Sequence, residues 1–375
     1  MTKARELSDY TGLQGDLAGL QTNITAGDTA ARAGRKNLII NGAMQVAQRG
    51  AIVADCGTDT VGMDRWRQYA AVGGSTGRST HSQETITDLQ GFDKAIKVAV
   101  TTTETVVTNE VYRLNNRIET QDIRHLGIGT TGAVPFTLSF YAKASGSFTF
   151  SAGVAIPNGG VYLNNFNITT SWQRFTLSIP TTTTSGMGIH SSATDAGHGI
   201  DVFITLFAGD SQDDIPVNTW TASYDSAASG ADNLFSAVGQ YLMVTGVQLE
   251  LGSVATDFEH RSYGEELALC QRYGLRVVGG SGGGRRIGGW GNGTSALIMI
   301  DSPVTFRAIP SLITTNRGKL LREAISWHVV TSLSINSDSG LNNVLLTAGC
   351  SSSGAAQGQV AYLGQVTDIF LDAEL

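Results

Sequence analysis

Along most of the chain, apolar and polar positions alternate with a period of two, the pattern of half-buried β-strands. Tyr241, Met243, Thr245, Val247 and Leu249 fall on one face, and Leu251 ends that run before Gly252. The same alternation, or a richness in β-branched residues, predicts strands over 95–103, 105–118, 136–143, 147–156, 173–179 and 199–207. Earlier in the chain, NLIINGAM at 37–44 reads as a strand entering a turn at Asn41 and Gly42. The segment GMDRWRQY then reads as an aromatic strand carrying Asp64, Arg65, Trp66 and Tyr69. Turn signals separate these runs at 158–160, 185–188 and 228–230. Many short antiparallel strands in this spacing predict a mostly β fold, a jelly-roll β-sandwich. Trp66, Trp172 and Trp220 supply its large core or rim contacts.

The pattern changes at 263. Glu265 and Glu266 lie where the first turn of a helix begins, and Arg272 lies in its last turn, each on the favourable end of the helix dipole. The polar ATDFEHR before it makes 241–273 read as a domain joint and mechanical pivot. After it, nine glycines crowd 279–293, and strands resume over 295–300, followed by a β unit opened by PVTFRAIP at 303–310 and runs at 323–332, 343–347, 359–362 and 366–371. At the other end, Tyr10, Leu13, Leu17, Leu20 and Ile24 follow a heptad seam, while Gly12, Gly15 and Gly19 each cost a helix about 1 kcal/mol. That head is either a short self-associating coiled coil or an extended arm that orders on docking. The division expected is an arm at 1–36, a jelly roll at 37–262, a linker helix and Gly-rich strip at 263–294, and a smaller β tip at 295–375.

Composition narrows the function. Charged residues make up 15% of the chain and the net charge is −7, which argues against a nucleic-acid binder built on clustered Lys and Arg. No run reaches the roughly 18 apolar residues that cross a bilayer, and the first ten residues lack the apolar core of a secretory signal. Synthesis in a cytoplasm is expected, with Cys56, Cys270 and Cys350 reduced.

No residue set reads as catalytic. The glycine strip lacks the Gly-Lys-Ser/Thr ending of a phosphate loop, and no β-helix repeat of a depolymerase is visible. His190, Asp195, His198 and Asp201 are the nearest thing to a metal set, although their spacing fits no standard motif. Asp210, Asp213 and Asp214 could offer oxygen ligands to a structural calcium or form a solvated turn; no other cofactor is expected. For ligand binding, Trp290 flanked by Arg285, Arg286 and Asn292 in the glycine strip is the leading candidate. Tyr162 and Asn164, in a Gly-bounded loop with Asn165 and Phe166, are a second.

The segments NLIINGAMQVAQRG, MDRW, WQRFTLSIP, GVQLELGSVATDFEHRSYGEELALCQRY and PVTFRAIP with DAEL resemble tail-fibre and related appendage proteins of tailed bacteriophages. The resemblance covers about 37–276 well and the remainder loosely. It implies a jelly roll like that of carbohydrate-binding modules and a homotrimeric, non-enzymatic virion subunit. Its arm would dock on tail or adaptor proteins, and its far end would face a host glycan or protein. A connector or decoration fibre touching only virion proteins, and a glycan hydrolase, are the alternatives. In that family an aromatic follows QRY; here Gly274 takes its place, which predicts a looser joint.

Overall fold

The computed structural model describes residues 35–57, 59–71, 76–104, 109–157, 160–182, 197–210, 212–222, 227–277, 287–292, 295–314, 319–322, 326–350, 360–364 and 369–374. The side chains of 71, 287–292, 314, 319–322, 326–329, 350 and 360–364 fall outside that description. The arm at 1–34 also lies outside it.

The first body is a two-sheet sandwich. One sheet holds β1 (Ile52–Cys56), β4 (Arg78–Thr85), β5 (Lys94–Thr102), β12 (Tyr241–Leu251), β7 (Phe136–Ala144) and β10 (Gln173–Ile179), in that spatial order. The other holds β2 (Thr60–Met63), β3 (Trp66–Ala71), β6 (Val111–Glu119), β11 (His198–Ala208), β8 (Phe148–Ile156) and β9 (Gly160–Ile168). Every pairing is antiparallel, and from β6 to β12 the chain passes repeatedly between the sheets, as in a jelly roll. Alternate residues of the two sheets meet in one core. Ile96, Val98, Leu138, Phe140, Leu242 and Val244 from one sheet face Tyr112, Leu114, Phe150, Val154, Val202 and Ile204 from the other.

The strands predicted over 173–179 and 241–251 have those bounds in the structure, and four others differ by a few residues. Two readings change. The segment 37–44 is no strand: it is a buried turn laid across the end of β12, with Leu38 N–H donating to Leu249 O at 2.9 Å and Val247 N–H to Gly42 O at 3.0 Å. The Asn41–Gly42 turn itself is present, with Asn41 at φ 60°. Residues 160–168, read as a loop, are β9, because Val161, Leu163 and Asn165 alternate with Tyr162 and Phe166 across two packed faces.

Helix α1 (Tyr263–Gln271) starts as expected, Ser262 capping it by accepting from Glu265 N–H. Beyond it, β13 (Gly274–Val277) pairs with β21 (Ile369–Asp372), which also pairs with β16 (Ser311–Thr314). A closed barrel follows, formed by β14 (Ile287–Asn292), β15 (Ser295–Asp301), β19 (Asn343–Cys350), β18 (Ser326–Ile335), β17 (Lys319–Arg322) and β20 (Val360–Gly364). Residues 303–310 form no strand. They run irregularly, Phe306 filling the second core beside Ile298, Val344 and Leu371.

The two bodies meet in a packed seam, not at a pivot. Arg65, 3% exposed, lies 3.4 Å over the Tyr273 ring and pairs with Glu374, while Arg49 pairs with Asp372 at 3.1 Å. Arg272 clamps Glu119 at 2.8 Å, and Ile40, Val46, Cys270 and Tyr273 form a small core of their own. Nor does Gly274 loosen the joint. A Cβ there would stand 2.6 Å from the Phe370 ring, which occupies that space with Arg49 stacked on it.

Candidate functional site in a cleft on the sandwich

A strand buries every second side chain, so the residues between the core positions of β3, β6 and β11 point away from the sandwich interior. In β3 these are Arg67 and Tyr69; in β6, Arg113, Asn115 and Arg117; in β11, Asp201, Phe203 and Thr205. Register then sets them side by side. Tyr69 is opposite Arg113 and Arg113 opposite Thr205; Asn115 is opposite Phe203; Arg117 is opposite Asp201, which is opposite Ala155 of β8. Cross-strand partners of this kind stand close enough to interact directly.

The result is a cleft of about 220 Å³ whose walls include Tyr69, Arg113, Arg117, Ile156, His198 and Asp201. It is smaller than a closed drug-sized pocket of about 300–1,000 Å³ and opens along the sheet surface. Its floor is rigid. The Arg113 guanidinium lies 4.8 Å from the Phe203 ring and 5.6 Å from the Tyr69 ring, held by two aromatic faces. Asp201 is shared: His198 Nε2 is 3.0 Å and Arg117 Nε 3.3 Å from its Oδ1, and Asn115 Nδ2 donates to the same oxygen at 3.4 Å. Burial works against the Asp201 charge, but the hydrogen bond and charge of His198, with Arg117 and Arg113, outweigh it and hold the carboxyl below its ordinary range. Arg67, at the margin, stacks by Tyr69 and pairs with Asp59.

The cleft thus presents a half-buried aromatic ring beside planar donors and one anchored carboxylate. That set can pack against the C–H face of a sugar ring and hydrogen-bond its hydroxyls.

Most of the residues singled out from sequence do not converge there. Tyr162 is 4% exposed and packs 5.5 Å from the Trp220 ring inside the sandwich, so it cannot offer a stacking face to a ligand. Asn164 is half-buried and its side-chain oxygen accepts from Asn165 N–H at 2.9 Å. Arg285 and Arg286 lie outside the described residues; Trp290 and Asn292 fall in β14, with their side chains outside the description. Among the described residues no three His, Cys, Asp or Glu side chains, Asp210, Asp213 and Asp214 included, come together as a group that could hold a metal ion. His198 and Asp201 do meet, but with Arg117 against the same oxygen they form a charge cluster instead of a metal set; His190 and Asp195 lie outside the described residues. Tyr69, named from sequence as part of an aromatic strand, and Arg113 and Arg117 are not among the sequence-derived site candidates. Their signal was the period-two placing of large polar residues in RWRQY and RLNNRIE, which marks an outward face yet does not say that neighbouring strands bring the two faces together.

No family model and no curated protein matches the chain. Among solved structures it is similar over 58% of its length to the tailspike protein 4 enzymatically active domain of Bacteriophage CBA120, with 12% identity and a TM-score of 0.29, and spans 21% of that chain. It is similar to a CBM4 structure over 57% of its length and 99% of that chain, at 14% identity and a TM-score of 0.31. The family 11 carbohydrate-binding module of a cellulosomal cellulase of Clostridium thermocellum matches over 57% of this chain and 100% of its own, at 11% identity and a TM-score of 0.26.

Proposed function

We propose that the protein is a non-enzymatic, glycan-binding subunit of a phage-type attachment appendage, and that the cleft on the outer face of the β2-β3-β6-β11-β8-β9 sheet is its binding site. The observation that carries this reading is the row of Tyr69, Arg113, Arg117, His198 and Asp201 around one open cleft on a rigid sheet. Loops, arm and assembly follow from the resemblance of the sequence to tail fibres: a homotrimer carried on the virion, docked through residues 1–36 on tail proteins and turned toward the host surface. Arg117 and His198 hold Asp201 ionised, which disfavours a general-acid role, and no second carboxylate lines the cleft among the described residues.

The test is Tyr69→Ala measured against the wild type on a glycan array and on host cells. At least about a ten-fold loss of binding, or roughly 1.4 kcal/mol, is expected with an unchanged melting temperature. If neither protein binds any glycan or host cell, the connector reading replaces this one. Release of reducing sugar from host glycan would overturn the non-enzymatic part.

A further inference from the structure

A second cleft lies where the sandwich meets the three-stranded sheet of β13, β21 and β16. Strand register sets Arg276, Phe370 and Ile313 in one row across that sheet, on the face opposite Leu275, Leu371 and Leu312, which pack in or against the second core. Val53 of β1 and Val61 of β2 line the cleft from the sandwich, and its volume is about 210 Å³. Its walls are apolar yet not fully closed: Val53 and Val61 are half-buried, and Ile313 is 46% exposed. Arg49 also lines it. The Arg49 side chain is 9% exposed and its guanidinium lies 4.1 Å over the Phe370 ring. Nη1 donates to Asp372 at 3.1 Å, and Nη2 is 3.7 Å from Glu374. Nε and Nη2 are nevertheless buried with no hydrogen-bond acceptor among the described residues. A buried donor left in that way costs free energy, which an acceptor carried by a ligand recovers. Two carboxylates already answer the Arg49 charge, so the acceptor that fits is an uncharged oxygen; an anion would face Asp372 and Glu374.

We propose that this cleft docks an uncharged peptide segment of a partner protein, one large aliphatic side chain entering beside Ile313, Phe370 and Val61 while a backbone carbonyl accepts from Arg49. A peptide unit carries both features side by side. The cleft is smaller than the about 300–1,000 Å³ of a drug-sized site, which suits one side chain. Its Ile313 wall belongs to β16, the last strand of its sheet, whose outer edge has no strand partner among the described residues, and such edges receive extended peptides. The proposal does not depend on the glycan cleft.

The full chain is titrated with N-acetyl-leucine methylamide and with its glycine and aspartate counterparts, to about 50 mM because fragments this small are held at millimolar strength, and binding is read from ligand signals by saturation-transfer NMR. The leucine compound is expected to bind at least about ten-fold tighter than the glycine one, and the aspartate compound no tighter than glycine. Ile313→Asp should bring leucine binding down to the glycine level with an unchanged melting temperature, since Ile313 is part-exposed. Arg49→Lys, where its melting temperature shows a folded protein, should weaken the leucine and glycine compounds alike, by about five-fold. Should Arg49→Lys fail to fold, Ile313→Asp still decides. Equal binding of leucine and glycine compounds, tighter binding of the aspartate compound, leucine binding untouched by Ile313→Asp, or no binding of any compound each overturns the proposal. Self-association of the wild type that Ile313→Asp abolishes would give the cleft to a second copy and overturn it as well.

Discussion

At Gly42 the backbone passes so close to β12 that a Cβ would sit 2.2 Å from the carbonyl oxygen of Val247. That oxygen lies at the bulge of β12 between Thr245 and Gln248 and already accepts from Asn37 Nδ2 at 3.1 Å, so it cannot move aside without breaking a buried hydrogen bond. Gly42→Ala is therefore expected to cost about 2–4 kcal/mol, read as a lower urea midpoint with an unchanged slope. His81 carries a different liability. Its ring is packed against Gly62, where a Cβ would meet Nδ1 at 2.0 Å, and its Nε2 lies 3.2 Å from Gln68 Oε1. Burial drops it from the usual 6.5 to about 4. Between those values the unfolded chain takes up a proton that the folded chain does not, so the stability due to neutral His81 is complete above pH 6.5 and is lost as pH falls toward 4. The difference amounts to about 3 kcal/mol. Unfolding by urea across that window should show the loss, and His81→Asn should flatten it.

The seam is where the elements depend on one another most. Arg65 reaches it from the turn between β2 and β3, Tyr273 from the end of α1 and Glu374 from beyond β21. Arg65→Met leaves Glu374 with Arg49, 3.7 Å away, as its remaining charged partner among the described residues and should cost about 2–4 kcal/mol by the same urea measurement. The elements themselves were largely legible: β10, β12 and α1 follow directly from alternation, β-branched content and an acidic first turn. The seam was not, because Arg65, Glu119 and Glu374 stand far apart in sequence and only pairing of β13 with β21 brings the last of them near. Residues 37–44 were misread for a related reason. Ile39, Ile40 and Leu38 are apolar because both their sides are covered, one by β12 and the other by the seam, and a covered turn has the same composition as a strand. The cleft was hidden in the same way: β3, β6 and β11 each show an outward face, but which faces are neighbours is a property of strand order.

For the whole molecule, a seam of this density predicts that sandwich and barrel unfold together. Calorimetry of the full chain should give one transition, and Arg65→Met should broaden or divide it. Light scattering should give three chains per particle; a monomer at micromolar concentration would count against the homotrimer. The pairing of Gly274 with Asp372 also sets a timetable for synthesis. The two strands leave the ribosome about a hundred residues apart, which at roughly 5–20 residues per second is a wait of about 5–20 s. Throughout that interval the sandwich can close and Arg65 can reach Tyr273, since β12 and α1 are already made, but Arg65 and Arg49 lack their carboxylate partners Glu374 and Asp372 until β21 arrives.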